Sequence, residues 1–190
     1  AELNQSLYYV NGNWYIDEPS LCLTVSCRIF RLNEHIHRED GPAIEFAGGH
    51  KEWYVNGNFH REDGPAVEHA DGHKEWYVNG KRHRLDGPAI EYVNGYKEWW
   101  VDGLRHRLDG PAVEDVNDSD NHWYYWYLNG RYHREDGPAI ETSDGYKAWY
   151  FNDVLHREDG PAIEDADGYK AWYIHGDELT EEEFLERCKK

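Results

Sequence analysis

A nine-residue string, His-Arg-x-Asp-Gly-Pro-Ala-(Ile/Val)-Glu, recurs along the chain and constrains its fold more than any other feature. It begins at His37, His60, His83, His106, His133 and His156, so the successive spacings are 23, 23, 23, 27 and 23 residues. A constant period of this length is the sequence signature of a repeat architecture, in which each unit buries its apolar face against its neighbours. The chain is therefore predicted to be a tandem-repeat protein of about six units.

Each repeat has the pattern of a β-hairpin followed by a connection. In one unit, residues 67–70 and 73–78 flank Asp71-Gly72, and Asn79-Gly80 follows the second strand. Asp-Gly and Asn-Gly between alternating segments are strong hairpin signals, because both central residues of a type I′ turn need positive φ. The chain is therefore predicted to reverse twice in each period, both times through a two-residue turn.

A two-residue turn also predicts which side chains share a face of the sheet. With Asp71-Gly72 as the turn, Val67 is predicted opposite Trp76, and Glu68 opposite Glu75. Like residues of successive units then form columns, so one face carries a tryptophan column and the other a glutamate column. The tryptophan column is Trp53, Trp76, Trp99, Trp126, Trp149 and Trp172, and the glutamate column is Glu45, Glu68, Glu91, Glu114, Glu141 and Glu164.

Paired glutamates in the first three units suggest a binding surface. Like charges directly opposite each other are unfavourable in a sheet, and the last two units have Ala148 and Ala171 in place of the second glutamate. The second glutamate is therefore not a strict structural need. The predicted surface consists of Glu45, Glu52, Glu68, Glu75, Glu91 and Glu98, with Tyr54 and Tyr77, and with Asp115, Asp118 and Asp120 of the acidic insertion 115–122. A solvated acidic face neutralised by arginine is the alternative interpretation.

The repeated polar residues are predicted to be structural. An active site needs one constellation, whereas six identical sets along the chain are what regular stacking requires. In this interpretation His60 and its equivalents hydrogen-bond across neighbouring units, Arg61 and its equivalents neutralise the glutamate column, and Asp63 and its equivalents organise the turn before Gly-Pro.

Motif searches predict a protein that is not an enzyme and that needs no cofactor or metal. Phosphate loops, nucleophile elbows and dinucleotide fingerprints do not occur. The insertion lacks the glycine and glutamate of a calcium loop, and Cys22 and Cys27 have no second cysteine pair nearby. A hydrolase that uses a His/Asp pair in one divergent repeat, with His122 or His133 as its histidine, is the alternative hypothesis.

Charge favours a protein partner. The 38 acidic residues outnumber the 20 lysines and arginines, and the resulting net charge of −18 repels nucleic acids and anionic lipid. Direct binding to nucleic acid or membrane is therefore not predicted, and a peripheral membrane scaffold is a further, disfavoured alternative. We expect an acidic scaffold that docks a basic protein. A sharper hypothesis is a phage- or virus-encoded inhibitor that mimics the charge of nucleic acid against a nucleic-acid-binding protein.

The remaining expectations concern domain organisation and location. Residues 1–32 are predicted to be an N-terminal half-repeat and cap with an insertion, 33–176 the repeats, and 177–190 a C-terminal capping helix. Thr180 and Glu183 have capping-box spacing, and Leu179 and Phe184 are placed for a hydrophobic staple, so the helix is expected over about 181–189. Three cysteines without a disulfide pattern, and the lack of a long apolar run, favour a cytoplasmic location.

The period, the Asn-Gly turns and the aromatic Trp-Tyr strand resemble the MORN repeat family over about residues 30–176, specifically its variant branch in bacterial, phage and large-virus proteins. The resemblance implies an all-β fold, an elongated single-layer array of stacked antiparallel β-hairpin repeats, with a scaffold or interaction role. The His-Arg-x-Asp-Gly-Pro-Ala segment departs from the common MORN pattern. Lipid-binding roles proposed for ordinary MORN arrays therefore do not carry over.

Overall fold

Antiparallel β-hairpins form nearly all of the regular structure, and the predicted β-hairpin repeat array is confirmed. The structure is a computed structural model that describes residues 6–10, 13–22, 25–116 and 121–188, with side chains from residue 27 onward within those ranges. Tertiary contacts divide the chain into two units, Ala1–Val93 and Asn94–Lys190. Among the described residues, no helix has both the length and the apolar character needed to cross a bilayer.

The first unit begins with three longer strands and continues with short repeat hairpins. Its strands are β1 (Ser6–Val10), β2 (Asn13–Cys22), β3 (Val25–Leu32), β4 (His35–Ile36), β5 (Ile44–Phe46), β6 (Lys51–Glu52), β7 (Tyr54–Val55), β8 (Asn58–Phe59), β9 (Val67–Glu68), β10 (Lys74–Glu75), β11 (Tyr77–Val78), β12 (Lys81–Arg82) and β13 (Ile90–Glu91). Successive hairpins pair through β6 with β9 and through β10 with β13.

The segment predicted as an insertion near the N-terminus is itself β-structure. Strands β1, β2 and β3 form an antiparallel meander, and β3 pairs with β5 so that Ile29 lies opposite Ile44. The meander thus supplies the strand that a preceding repeat would otherwise provide to the first hairpin. Cys27, on β3, is a free and buried thiol.

The second unit continues the repeat and ends in a helix. Its strands are β14 (Lys97–Glu98), β15 (Trp100–Val101), β16 (Leu104–Arg105), β17 (Val113–Asp115), β18 (Trp123–Tyr125), β19 (Tyr127–Leu128), β20 (Arg131–Tyr132), β21 (Ile140–Thr142), β22 (Lys147–Ala148), β23 (Tyr150–Phe151), β24 (Val154–Leu155), β25 (Ile163–Glu164), β26 (Lys170–Ile174) and β27 (Asp177–Leu179). Helix α1 spans Glu181–Arg187. The Thr180–Glu183 capping box is present as predicted, and Phe184 is buried.

The buried core of each repeat is built around the alanine of the Gly-Pro-Ala segment. Ala66 is fully buried, and its carbonyl accepts the backbone N–H of Trp53 at 2.8 Å. Because protein interiors are closely packed, a larger side chain at this fully buried position would have to displace its neighbours. The equivalent alanines, Ala43, Ala89, Ala112, Ala139 and Ala162, are also fully buried.

The two turns of each repeat differ, and one prediction is wrong. At Asn56-Gly57 both residues have positive φ, 51° and 77°, and Val55 pairs with Asn58, which confirms the two-residue type I′ turn. At Asp71-Gly72 only Gly72 has positive φ (93°), and the N–H of His69 bonds to the carbonyl of His73. The Asp71-Gly72 loop, the first turn of its unit, therefore contains three residues, 70–72, and ends in a left-handed glycine.

The additional loop residue shifts the register by one and exchanges the faces. Glu68 pairs with Lys74, and Val67 pairs with Glu75, instead of the predicted Glu68 with Glu75 and Val67 with Trp76. Because strand side chains alternate between faces, a one-residue shift moves one strand's side chains to the other face relative to its partner. The prediction of a shared face on which Val67 lies opposite Trp76 is therefore wrong.

Candidate functional site

The repeated arginine is the hub of the connecting loop. Arg61 donates from Nε to Asp63 at 2.9 Å, and from Nη1 to the carbonyl of Pro65 at 3.2 Å and to Glu68 at 3.0 Å. Its guanidinium lies 4.1 Å from the ring centroid of Trp53. The hydrogen bond and the charge of Arg61 hold the pKa of the exposed Asp63 carboxyl below its ordinary value. Equivalent hubs are built by Arg38, with Phe30 in place of tryptophan, and by Arg84, Arg107, Arg134 and Arg157.

These contacts confirm that the arginines pair with the glutamate column. They also show that the aspartate of the loop is bonded to the arginine of the same loop. Asp63 is held by the arginine two residues before it. An arginine covers five half-buried tryptophans of the column on the face that carries the glutamate column, namely Trp53, Trp76, Trp99, Trp126 and Trp149. Such stacking of Arg on Trp is attractive because the ring quadrupole is negative above its face.

The repeated histidine is used in the structural contact predicted for it. The backbone N–H of Asn79 donates to Nδ1 of His60 at 3.2 Å. His133, a candidate for the hydrolase alternative, lies 3.1 Å from Oδ1 of Asn152 in the equivalent position. The backbone N–H of His122, the other candidate, donates to Oγ of Ser143 at 2.9 Å. The contact made by His133 is thus the one that its counterparts make in other repeats.

The predicted acidic strip is not a single surface. Glu45, Glu68 and Glu91 belong to one face of the sheet, where Glu68 lies opposite Lys51 and Lys74. Glu52, Glu75 and Glu98 belong to the other face, where each lies opposite an apolar residue, as Glu75 does with Val67. The prediction of glutamate opposite glutamate is therefore wrong, because the three-residue loop displaces one strand by one position.

The second glutamate of the pair is the centre of a buried polar network. Glu98 is 5% exposed and accepts hydrogen bonds from Trp100 Nε1 at 2.6 Å, from Arg105 Nε at 3.1 Å and from the Tyr96 hydroxyl. Burial, together with the bond to Glu98, raises the pKa of Tyr96. Glu98 thus satisfies polar atoms inside the repeat and is not available to a partner.

The other predicted binding residues have different surroundings. Tyr54 and Tyr77 are half-buried, and Tyr77 donates to Glu75 at 2.7 Å. Asp115 ends β17 opposite Trp123 and is partly buried. Asp118 and Asp120 lie outside the described residues.

Solvent-filled grooves separate successive connecting loops. In the first unit, a groove of about 730 Å³ lies between the Arg61–Pro65 and His83–Asp86 loops, with Trp76 and Val78 in its lining. In the second unit, a groove of about 780 Å³ lies between the 107–110 and 133–136 loops, with Trp126 and Leu128 in its lining. Each groove is lined by three carboxylates and two arginines, Glu62, Asp63 and Asp86 with Arg61 and Arg84 in the first, and Asp109, Glu135 and Asp136 with Arg107 and Arg134 in the second.

Each of these grooves carries an exposed leucine that the sequence analysis missed. Leu85 is 80% exposed and Leu108 is 82% exposed. They occupy the variable position of His-Arg-x-Asp-Gly-Pro, where the other four repeats have Glu39, Glu62, Glu135 and Glu158. Comparison of this position between repeats was the signal that could have found them.

The fold and these contacts define a β-hairpin repeat protein whose repeated polar residues hold the loops in place. A scan against protein-family models gives no match for the chain, and a comparison with curated proteins gives none either.

Proposed function

We propose that the chain is a non-catalytic protein-binding module that docks a basic segment of another protein in the grooves between its connecting loops. The observation that carries the proposal is the pair of leucines, Leu85 and Leu108, each exposed beside carboxylates in a groove. A segment with an apolar residue flanked by lysine or arginine complements such a groove. Segments of this kind occur in nucleic-acid-binding proteins, which have the basic charge expected of a partner.

The exposed leucines are not needed by the loop itself. Four repeats carry glutamate at the same position with the same arginine hub. Burying a leucine in a complex contributes about 1.5–3 kcal/mol, whereas exposing it in the free protein contributes nothing. Docking a partner on the leucine therefore gains binding free energy. The groove carboxylates that lie outside the arginine hubs, Glu62 and Glu135, favour a basic partner by charge complementarity.

The experiment measures the binding of a fluorescein-labelled peptide with one leucine flanked by lysines and arginines, at rising salt. The Leu85→Gln, Leu108→Gln double variant is expected to bind at least about tenfold more weakly, because a factor of ten corresponds to about 1.4 kcal/mol. Its salt dependence should match that of the wild type, since no charge is changed.

Glu62→Gln, Glu135→Gln is the complementary variant, because it removes one carboxylate from each of the same two grooves and leaves both leucines in place. It should weaken binding mainly at low salt, where the lost charges are least screened. A leucine double variant that binds the peptide as tightly as the wild type would refute the proposed docking mode.

A further inference from the structure

We propose that His69, His73 and Glu75 form a binding site for one divalent zinc-type metal ion. The site is separate from the docking grooves, and it does not depend on the proposed function. His69 and His73 lie opposite each other across the three-residue loop, joined by the hydrogen bond from the His69 N–H to the His73 carbonyl at 2.9 Å. Glu75 is two residues beyond His73, so the alternation of strand side chains places it on the same face.

The donor atoms are spaced as the ligands of one ion require. Nε2 of His69 lies 3.6 Å from Oε1 of Glu75, and Nε2 of His73 lies 3.7 Å from the same oxygen. All three donor atoms lie within 4.8 Å of one another. Ligands about 2.1 Å from a tetrahedral zinc ion are about 3.4 Å apart. A shift of a few tenths of an ångström at Glu75, and of up to about 1.4 Å between the two imidazoles, therefore brings the donor atoms to these spacings. The two rings are stacked in parallel with centroids 4.5 Å apart, so they also have to turn until both Nε2 lone pairs point at the ion.

Two of these donors are buried without a hydrogen-bond partner. Within the part of the chain that the structure describes, Nε2 of His69 and Nε2 of His73 have almost no solvent contact and no hydrogen bond. His73 as a whole is only 7% exposed. Buried polar nitrogens nearly always have a partner. A metal ion bound by both nitrogens supplies one, and the partly exposed His69 leaves a path for its entry.

Neighbouring residues orient the ligands. Oε2 of Glu75 accepts hydrogen bonds from the Tyr77 hydroxyl at 2.7 Å and from Arg82 Nη2 at 3.1 Å, which leaves Oε1 directed toward the imidazoles. The ring of Tyr92 stacks on His73 with centroids 3.8 Å apart. Outer contacts of this type commonly tune metal affinity.

The combination of two histidines and a glutamate at these three positions occurs in one repeat only. At the position of His73 the neighbouring repeats have His50 and Tyr96, and at the position of His69 they have Phe46 and Tyr92. Residues that every repeat shares are explained by stacking, whereas a set found once is not. Two histidines and a carboxylate are also a ligand set that zinc uses while keeping a fourth position open.

Zinc binding to the full chain, prepared without a polyhistidine tag, tests the proposal by calorimetry. The wild type is expected to bind one Zn²⁺, and Co²⁺ in its place should give the visible absorption of a tetrahedral site. His73→Tyr and His69→Thr should abolish this binding. Both substitutions introduce residues that other repeats carry at the same positions, Tyr146 and Thr142, and the far-ultraviolet dichroism should be unchanged.

His50→Tyr tests the contribution of the neighbouring imidazole, because His50 has the same position in the preceding repeat, is bonded to Glu52 at 2.7 Å, and has its ring centroid 4.6 Å from that of His69. This variant should still bind one Zn²⁺. Tyr77→Phe, which removes one hydrogen bond to Glu75, should weaken zinc binding about tenfold. Absence of stoichiometric zinc binding in the wild type, or its retention in His73→Tyr, would overturn the proposal.

Discussion

Replacing Glu98 by alanine should destabilise the second unit strongly. The carboxylate is buried, and its removal leaves Arg105, Trp100 and Tyr96 without their acceptor. Breaking a buried ion pair by removing one partner costs about 3–5 kcal/mol. The Arg105 side chain remains 35% exposed, and water can solvate part of it, so we expect the lower end, about 3 kcal/mol. For a chain of this length the melting temperature should fall by about 6–12 °C.

A later repeat of the chain shows which second substitution should compensate for the loss of Glu98. In a later repeat, Ala148 and Leu155 occupy the positions of Glu98 and Arg105, and Ala148 is fully buried. Glu98→Ala with Arg105→Leu should therefore lose only about 1–2 kcal/mol, because the charged partner is removed together with the carboxylate, and the Tyr96 hydroxyl and the Trp100 indole N–H are neutral groups that lose one acceptor.

Guanidinium unfolding followed by tryptophan fluorescence measures both variants, and equal denaturant slopes are required for the comparison. The free energy of unfolding is the quantity to compare. The reasoning is refuted if Glu98→Ala costs less than about 1 kcal/mol, or if the double variant is no more stable than the single one.

Two further predictions concern the arginine hub. Arg107→Lys should lower the free energy of unfolding by about 1–2 kcal/mol, because lysine cannot both stack on Trp99 as a plane and bond to Asp109 and Glu114; an unchanged denaturation midpoint would contradict this. The pKa of Asp109 is held below its ordinary value by the hydrogen bond and the charge of Arg107, so its contribution to stability is present above the ordinary Asp pKa of about 3.9 and is lost as the pH falls through the lowered value. The stability difference between the wild type and Asp109→Asn, measured by urea unfolding, should therefore shrink as the pH is lowered below about 4, and a difference that grows would count against the assignment.

Features that depend on a few adjacent residues were predictable. Asn56-Gly57 adopts the type I′ turn because both residues tolerate positive φ, and Thr180 and Glu183 form the capping box that their spacing predicts. The pairing of Arg61 with Glu68 followed from the need to neutralise a repeated carboxylate. In each of these cases the partners lie within about one hairpin of each other.

The candidate sites were harder to predict from the sequence. Leu85 and Leu108 could have been noticed as departures from glutamate, but their exposure beside a groove depends on how the loops are spaced. His69 and Glu75 share a face only with a three-residue loop, and the two-residue turn assigned to Asp71-Gly72 would have separated them. The carboxylate of Asp71 accepts the N–H of His73 at 3.0 Å, a contact that helps to hold the longer loop.

The amino-acid sequence alone determined the repeat, its period, its hairpin content, the second turn of each unit and the closing helix, because these follow from local backbone preferences and from residues close together along the chain. Only the tertiary structure decided the register across the first turn, and with it which side chains share a face. The reason is the two-residue alternation of a β-strand, since one additional residue in a loop exchanges the two faces without changing any local signal. Strand pairing, and not composition, therefore decided whether Glu75 lies near a lysine, a glutamate or a pair of histidines.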